Sequence, residues 1–249
     1  MLDVTHILLL VFLILASYIQ ASTGFAFALV VMSGVTAFDL APIEVTAFVV
    51  SFLSLVNSSI GLQGRLWRKV DKLALGYLLI PCVPATFLGV YLLAYFGESQ
   101  LALLKLILGC CILISSLAML IKVSEKTSKT SKFGYLLSGL ISGVMGGMFA
   151  AFGPPMTYIM YRQNISLETI RATLLMAFTF TSVIRLAFVI SSQEVSEQAY
   201  LLSAVGVPVV ILATLAVGYF PLPFSSKRMK QFVYFILFAS GFSLIIQAL

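Results

Sequence analysis

The residues of this chain that could do chemistry are glycines, hydroxyls, amides and an arginine placed inside apolar runs. A Ser, His and Asp set for nucleophilic catalysis is missing, because His6 is the only histidine, and no carboxylates are paired. The cysteines have no histidine nearby and resemble small core residues, namely Cys82, Cys110 and Cys111. The sequence therefore disfavours an enzyme and predicts no cofactor, no metal site and no disulfide.

The most informative stretch is 140–155, where Gly146, Gly147 and the step Gly153-Pro154-Pro155 interrupt an apolar run. Glycine weakens a helix and an internal proline removes a hydrogen bond, so we expect the helix to break near Phe152-Gly153. In a bilayer a break is tolerated only where it is buried in protein or lines a cavity, and the N-terminus of the following half-helix attracts anions. The alternative is a proline kink that serves packing alone.

A weaker relative of this stretch lies near the N-terminus, at residues 20–28, and its recurrence favours a functional role for both. Gln20 is polar within the apolar run, and Ser22, Thr23, Gly24 and Phe25 surround the first predicted break. Thr157 follows the second break by about one turn. Hydroxyls beside an opened helix either bind a ligand oxygen or satisfy the free groups of the helix end.

Arg185 lies within an apolar run, about two turns before its predicted outer end. A charge there should face a cavity or a partner, and arginine can bind an oxyanion through two parallel hydrogen bonds. The alternative is that Arg185 snorkels to the outer headgroups. Asn57 and Ser58 hold a roughly corresponding place in the first half, where they line the site or cap the helix. The candidate substrate-binding residues are Gln20, Ser22, Thr23, Gly24, Phe25, Asn57, Ser58, Gly146, Gly147, Gly153, Pro154, Thr157, Thr181, Ser182 and Arg185.

Composition places these residues in a membrane protein with many spans. Hydrophobic residues make up 61% of the chain, charged residues only 10%, and the mean hydropathy is +1.10. The net charge of +6 does not indicate nucleic acid, because the basic residues gather in short loops between apolar runs, as in the positive-inside pattern. A span needs about 20 apolar residues. The predicted runs are 6–38, 42–60, 73–96, 101–121, 133–161, 167–191, 199–219 and 229–248.

The loops predict how these runs cross the membrane. Basic residues place the 61–72 loop, the 122–132 linker and the loop before run eight in the cytoplasm, whereas the acidic 192–198 loop should face outside. Run five must then begin and end on the cytoplasmic side, which a re-entrant hairpin achieves. The same logic applied to run one puts both termini outside. In the runner-up topology runs one and five each cross the membrane once. The halves are then parallel, and the basic cluster at 227–230 lies outside.

This reasoning predicts an all-α polytopic membrane protein of two inverted repeats, each with a broken, re-entrant hairpin and three transmembrane helices. Residues 1–121 form the first transmembrane repeat, 122–132 the cytoplasmic linker, and 133–249 the second transmembrane repeat. The linker is polar and low in complexity, as is typical of a flexible connection. Nothing resembles a P-loop, so an ATP-driven pump is not supported.

Three features together resemble the TauE/SafE sulfite exporter family of membrane transporters: the stretch from Gly143 to Tyr158, its counterpart at 20–28, and the basic, aromatic loop at 65–71. The commoner family pattern has three consecutive glycines in each half. This sequence keeps Gly24 in the first half and Gly146-Gly147 in the second. The resemblance implies transport of small sulfur-containing anions, such as sulfite or sulfoacetate, across the bacterial inner membrane.

The expected function is a secondary transporter, an exporter, that works by alternating access around the two breaks. Its expected partners are a small anionic substrate and membrane lipid, with proton coupling and a homodimer left open and no nucleic acid. A channel-like or sensory membrane protein without alternating access is the alternative from a different class.

Overall fold

The computed structural model describes residues 4–97, 100–120, 131–192, 195–219 and 226–249, and every regular element within these ranges is helical. A 3₁₀ turn at Leu66–Lys69 joins α3 to α4. The α-helices are α1 (Val4–Thr23), α2 (Phe27–Ala37), α3 (Ile43–Gly61), α4 (Lys72–Phe96), α5 (Leu101–Leu120), α6 (Lys132–Phe149), α7 (Gly153–Tyr161), α8 (Leu167–Ser192), α9 (Glu197–Tyr219) and α10 (Ser226–Ala248).

Four of the described helices are long and apolar enough to cross a membrane: Ile43–Gly61, Lys72–Phe96, Leu167–Ser192 and the Glu197–Val217 part of α9. Shorter apolar helices accompany them, including the two halves of the first predicted run. This architecture confirms the prediction of an all-α polytopic membrane protein. Apolar helices of this length are suited to the hydrocarbon core of a bilayer, so several segments of the chain can lie within a membrane.

The two over-long runs are divided, as the glycine patterns predict. The first break covers residues 24–26, where Gly24 and Ala26 have φ of +87° and +84°, and the second covers 150–152, where Ala150 has φ of +56°. We expected the second break near Phe152-Gly153, and it ends at Phe152, while Gly153-Pro154-Pro155 forms the first turn of α7. The reason is that a proline is tolerated in a first turn, where the N–H that it lacks would have no helical partner.

The chain reverses at the first break. A Cβ atom added to Gly34, near the end of α2, would lie 2.6 Å from the ring of Phe12 in α1, and the rings of Phe12 and Phe38 are 5.9 Å apart between centroids. The end of α2 therefore lies beside the first half of α1. Together the two helices form a hairpin, here called hairpin 1, whose open end contains Phe38.

The chain also reverses at the second break. Helices α4 and α6 run parallel, and Asp71 at the start of α4 donates its backbone N–H to Thr173 Oγ1, 2.9 Å away, near the start of α8. The starts of α4, α6 and α8 therefore lie at one end of the molecule. Because only five residues separate α7 from α8, α7 must return towards the end at which α6 begins. Helices α6 and α7 form hairpin 2, which enters from the end opposite to hairpin 1.

Each hairpin packs on a helix from the other half of the chain: α6 on α4, and α1 on α9. Glycines of α6 meet backbone atoms of α4 at four-residue intervals, which lets two helices approach closely. The pairs are Gly139 with Leu78, Gly143 with Cys82, and Gly147 with Thr86. This contact, the glycine seam, fixes the position of the second break.

Two further contacts join helices of the first half of the chain to helices of the second. Helices α3 and α8 are antiparallel, because Ala47 and Ser51 near the start of α3 meet Arg185 late in α8, whereas Gly61 at the end of α3 meets Leu175. Helices α5 and α10 are antiparallel as well, as shown by the pairing of residues 105 with 247 and 109 with 241.

Some predicted features lie outside the described residues. These are residues 121–130 of the expected linker and the 193–194 part of the expected outer loop. The basic cluster Lys227, Arg228 and Lys230 was expected in a loop, but its backbone forms the first turns of α10.

Candidate functional site

The two breaks meet around a small cavity in the middle of the molecule, here called the central cavity. It is lined by residues of both break regions and of α3 and α8: Gln20, Ala26, Ala28, Leu29, Ser54, Ala150, Phe152, Gly153 and Phe178. Its volume is about 10 Å³. A cavity of this size has room for about one water molecule.

The N-terminus of α2 opens onto this cavity. The first helical hydrogen bond of α2 is donated by Val30 to the carbonyl of Ala26, so the N–H groups of residues 27–29 have no helical acceptor. No side chain caps this helix end, and Ala28 and Leu29 line the cavity. The free N–H groups and the positive end of the helix dipole favour a negative ligand at this point.

The start of α7 faces the same cavity with fewer donors. Gly153 lines the cavity and carries an N–H, whereas Pro154 and Pro155 carry none. Thr157, one turn further, is 3% exposed, and its Oγ1 has no hydrogen-bond partner among the described residues. Thr157 thus holds a buried hydroxyl beside the second break whose hydrogen-bonding capacity is unused.

Gln20 contributes the amide of the central cavity. Its Nε2 lies 3.5 Å from Ser54 Oγ of α3, at the long limit for a hydrogen bond, and both residues are buried. The amide therefore retains donor and acceptor capacity for a ligand. Ser54 was not among the predicted site residues, although it stands on the same face of α3 as Ser58, one turn away.

The residues of the first break mostly hold the break itself. Thr23 Oγ1 donates to the carbonyl of Ile19 over 2.7 Å and accepts from the N–H of Phe25 over 3.4 Å, and Ser22 Oγ donates to the carbonyl of Tyr18. The ring of Phe25 meets that of Tyr161 edge-on. These side chains do not line the central cavity.

The C-terminal end of α1 is covered by α7 and α8. Tyr161 of α7 donates its hydroxyl to the carbonyl of Thr23 over 2.9 Å. A Cβ atom added to Gly24 would lie 3.0 Å from the Cα of Arg171 in α8. Gly24 is therefore required twice, by its positive φ and by this close approach of α8.

Arg185 was expected to face a cavity or a partner, and the structure places it on α8 against α3 and α6, where it is 1% exposed. Its Nε donates to the carbonyl of Gly147 over 3.0 Å, and its Nη1 donates to the carbonyl of Ala47 and to Ser51 Oγ over 3.0 and 2.9 Å. It does not snorkel. No acidic residue is among these partners, so backbone carbonyls and a hydroxyl compensate the buried charge.

Gly146 and Gly147 shape the second break by packing. Gly146 meets the ring of Phe152, and Gly147 meets α4 in the glycine seam. The carbonyl of Gly147 accepts a hydrogen bond from Arg185. Both glycines thus position the break without lining the central cavity.

The remaining candidates lie beside the cavity without lining it. Asn57 Nδ2 donates to the carbonyl of Ser17 over 3.1 Å and to Thr214 Oγ1 over 2.9 Å, which ties α1, α3 and α9 together. Ser58 is hydrogen-bonded to Thr179 of α8. Thr181 donates to the carbonyl of Ala177 on its own helix, and Ser182 is buried. Of the predicted residues, Gln20 and Gly153 line the cavity, and the others are not among its lining residues.

Sequence reasoning missed Ala26, Ala28, Leu29, Ser54, Ala150, Phe152 and Phe178 as cavity residues. Most are apolar, so their type carries no signal of function. Only Ser54 offered a signal of function, because it belongs to the series of polar residues along α3. Within the described ranges, no group of three or more His, Cys, Asp or Glu residues could hold a metal ion.

Comparisons with known proteins agree with this picture. The chain matches the family model described as "Sulfite exporter TauE/SafE" over residues 8–244. It is similar to a protein of Cupriavidus necator named "Probable sulfite/organosulfonate exporter TauE", with 34% identity over 237 residues that cover 94% of this chain and 91% of the relative. No solved structure matches the chain significantly. The match spans nearly the whole fold, both breaks included, and the chain belongs to the TauE/SafE sulfite exporter family of membrane transporters.

Proposed function

We propose that this protein is a secondary transporter that exports small sulfur oxyanions, such as sulfite or an organosulfonate like sulfoacetate, across the bacterial inner membrane. The observation that carries the proposal is the meeting of both helix breaks around one buried cavity. Broken helices that face each other near the middle of a membrane protein are typical of secondary transporters. The name of the Cupriavidus necator relative supports the same class of substrate.

The chemistry of the central cavity suits an oxyanion. The free N–H groups of α2, the N–H of Gly153 and the amide of Gln20 supply donors, and no acidic residue is among the lining residues. An oxyanion in this position would exchange the water molecules that hydrate it for fixed N–H donors and the positive end of a helix dipole. In this proposal Arg185 does not contact the substrate. It holds the end of α6 in place and, with it, the second break.

Transport requires the cavity to open, because about 10 Å³ cannot hold a sulfur oxyanion. We assign the present conformation to a state of an alternating-access cycle in which the site is contracted. Opening would move the hairpins against α3 and α8, since these elements form the cavity walls.

The proposed architecture is a pair of inverted repeats. A two-fold axis in the membrane plane makes equivalent helices antiparallel, and α3 with α8 and α5 with α10 are antiparallel. Parallel halves would make each of these pairs parallel. Such an axis would map the contact of α6 with α4 onto a contact of α1 with α9, and both contacts are present.

The proposed orientation follows from the basic residues. The starts of α4, α6 and α8 share an end with Arg65, Arg68 and Lys69, and this end is assigned to the cytoplasm. Both termini then lie outside. Because the cavity lining contains no carboxylate, any proton coupling would use a carboxylate near a helix end or the titration of the substrate itself.

The test is the flux of sulfite, sulfate, sulfoacetate and acetate in proteoliposomes, each with and without a pH gradient. Saturable flux of a sulfur anion, accelerated by the same anion on the opposite side, is the expected result. Flux that does not saturate would indicate a channel, and no flux of any anion would favour a sensory role. Equal flux of acetate would remove the substrate assignment.

A further inference from the structure

Helices α7 and α8 connect the central cavity with the end of the molecule that is assigned to the cytoplasm. Gly153 of α7 and Phe178 of α8 line the cavity, and a Cβ atom added to Gly153 would lie 3.6 Å from the ring of Phe178. Tyr161 ends α7, about two turns beyond Gly153. Arg171 lies near the start of α8, about two turns before Phe178. Each of these two residues is therefore about 10 Å along its helix from the cavity.

The first break separates Tyr161 and Arg171 from the cavity. The hydroxyl of Tyr161 donates to the carbonyl of Thr23 over 2.9 Å. A Cβ atom added to Gly24 would lie 3.0 Å from the Cα of Arg171. Ala26, two residues after Gly24, already lines the cavity. A single short segment of backbone therefore stands between these side chains and the cavity.

Burial increases along both helices towards the cavity. Tyr161 and Arg171 are partly exposed, whereas Phe178 is 5% exposed. Thr157 lies halfway between Gly153 and Tyr161 on the same face of α7, and it is 3% exposed. Its Oγ1 has no hydrogen-bond partner among the described residues, so it can offer a hydrogen bond to a ligand that moves along α7.

Arg171 has hydrogen-bonding capacity for an anion. Its Nε is buried and has no hydrogen-bond partner among the described residues. Its acidic neighbour is Glu168, one turn earlier on α8, but Lys69 already donates a hydrogen bond to that carboxylate. A guanidinium can bind an oxyanion through two parallel N–H groups. An anion beside Arg171 would therefore find a donor that the protein itself leaves unused.

The two arginines of α8 differ in this respect. Arg171, Phe178 and Arg185 are spaced by seven residues, so they lie on one face of α8 with the cavity residue in the middle. Arg185 is 1% exposed and makes three hydrogen bonds within the protein. Arg171 is partly exposed and packs on the first break with its Cβ and Cγ atoms. The closure beside Arg171 is thus the thinner of the two.

We propose that the first break is the cytoplasmic mouth of the central cavity, with Tyr161 as its gate and Arg171 as the residue that selects anions there. When the hydrogen bond from Tyr161 to Thr23 opens, an anion meets Arg171 and passes Thr157 to reach the donors at the start of α2. This inference rests on the proposed function for the side that it calls cytoplasmic and for its cargo. Arg171 as a simple interfacial anchor would select no charge.

The test measures how fast a thiol in the central cavity reacts from each side of the membrane. Ala28→Cys supplies the thiol, because Ala28 lines the cavity. Inside-out and right-side-out vesicles receive membrane-impermeant methanethiosulfonates, one carrying a sulfonate and one a trimethylammonium group. Peptide mass spectrometry distinguishes residue 28 from the native cysteines, and each rate is divided by the rate of that reagent with a free thiol.

We expect residue 28 to react from the cytoplasmic side, and faster with the sulfonate reagent than with the trimethylammonium reagent. Reaction from the outer side alone, or from neither side, would overturn the proposal.

Tyr161→Phe tests the gate. It removes the hydrogen bond to Thr23 and keeps the ring contact with Phe25, so we expect cytoplasmic labelling to become about three- to tenfold faster. Tyr158→Phe is the matched control, because its hydroxyl accepts from Arg162 on the same helix. If Tyr161→Phe fails to fold, Phe25→Leu decides, since it removes the ring contact instead. A labelling rate that equals that of the control would overturn the gate.

Arg171→Gln tests the selection of anions. Labelling by the sulfonate reagent should become at least about tenfold slower, and labelling by the trimethylammonium reagent should not. Arg171→Lys keeps the charge and should keep the preference. Arg68→Gln is the control, because Arg68 is exposed at the same end and stacks on Trp67. If Arg171→Gln fails to fold, Arg171→Met replaces it, since it keeps the stem that packs on Gly24.

The two reagents separate charge selection from a structural role. An equal loss of labelling with both reagents in Arg171→Gln, or no loss with either, would overturn the role of Arg171. Labelling needs no transported substrate, so the predicted labelling without flux of a sulfur anion would refute only the proposed function. Flux of a sulfur anion without the predicted labelling would refute only the mouth.

Discussion

Arg185 Nε donates a hydrogen bond to the carbonyl of Gly147 over 3.0 Å, two residues before α6 ends. The last four carbonyls of a helix have no donor within the helix, and Arg185 supplies one from α8. It also places a positive charge at the negative end of α6. This arginine therefore holds the second break in place.

Replacing Arg185 by leucine is expected to reduce both flux and stability. The carbonyl of Gly147 would lose its donor from α8, at about 1–3 kcal/mol for a buried group left unsatisfied. The carbonyl of Ala47 and the hydroxyl of Ser51 would each lose one hydrogen bond but keep the bond between them. Thermal unfolding in detergent and flux in proteoliposomes measure the two effects. Arg162→Leu is the control, because Arg162 is only partly buried and stacks on Tyr158. Wild-type flux and melting temperature in Arg185→Leu would refute this role.

The two break glycines should differ in their tolerance of alanine. Gly24→Ala places a Cβ at φ of +87° and 3.0 Å from the Cα of Arg171, which should cost about 1–2 kcal/mol and slow transport. Gly153→Ala places its Cβ 3.6 Å from Phe178, an ordinary contact, and should be mild. Gly153→Leu should fill the central cavity and block flux without blocking insertion. Equal melting temperatures and fluxes for the two alanine variants would contradict the predicted order.

Gln20 and Ser54 should determine substrate affinity. Gln20→Leu keeps the shape of the side chain and removes its amide, so we expect KM for the transported anion to rise about tenfold. Ser54→Ala should give a smaller rise, because a hydroxyl offers fewer hydrogen bonds than an amide. Ser33→Ala is the matched control, since Ser33 is buried in α2 but donates to the carbonyl of Val30 and does not line the cavity. An unchanged KM in folded Gln20→Leu would place the substrate elsewhere.

The glycine seam should be sensitive to any added side chain. A Cβ at Gly89 of α4 would lie 2.8 Å from the Cα of Gly147, so Gly89→Val should separate the helices and cost about 1–3 kcal/mol or more. Gly76→Val tests the same change on the same helix where no atom lies within 4 Å. Its melting temperature should stay near that of the wild type. A similar melting temperature for Gly89→Val would mean that the seam can relax.

The sequence was sufficient for most helices, because hydrophobic length determines them directly. The reversals depended on the charges of the loops, which left a topology with single crossings open. The second break lies at residues 150–152, against the expected Phe152-Gly153, since a proline pair begins α7 more readily than it ends α6. The contacts of Arg185 could not be predicted, because its acceptors include backbone carbonyls, which every residue carries. Ser54 and Phe178 reach the cavity from other helices, so only tertiary packing identifies them.

The exchange of hairpins has a consequence for biogenesis. Hairpin 2 packs on α4 and hairpin 1 packs on α9, so each half lacks one helix on which its own hairpin packs. When the ribosome has finished α4, the face of that helix that meets the glycines of α6 has no partner until the chain beyond residues 121–130 has been synthesised. We expect the first half to insert early and to mature only after the second half leaves the translocon, so that quality-control proteases would degrade either half synthesised alone and spare the pair synthesised together.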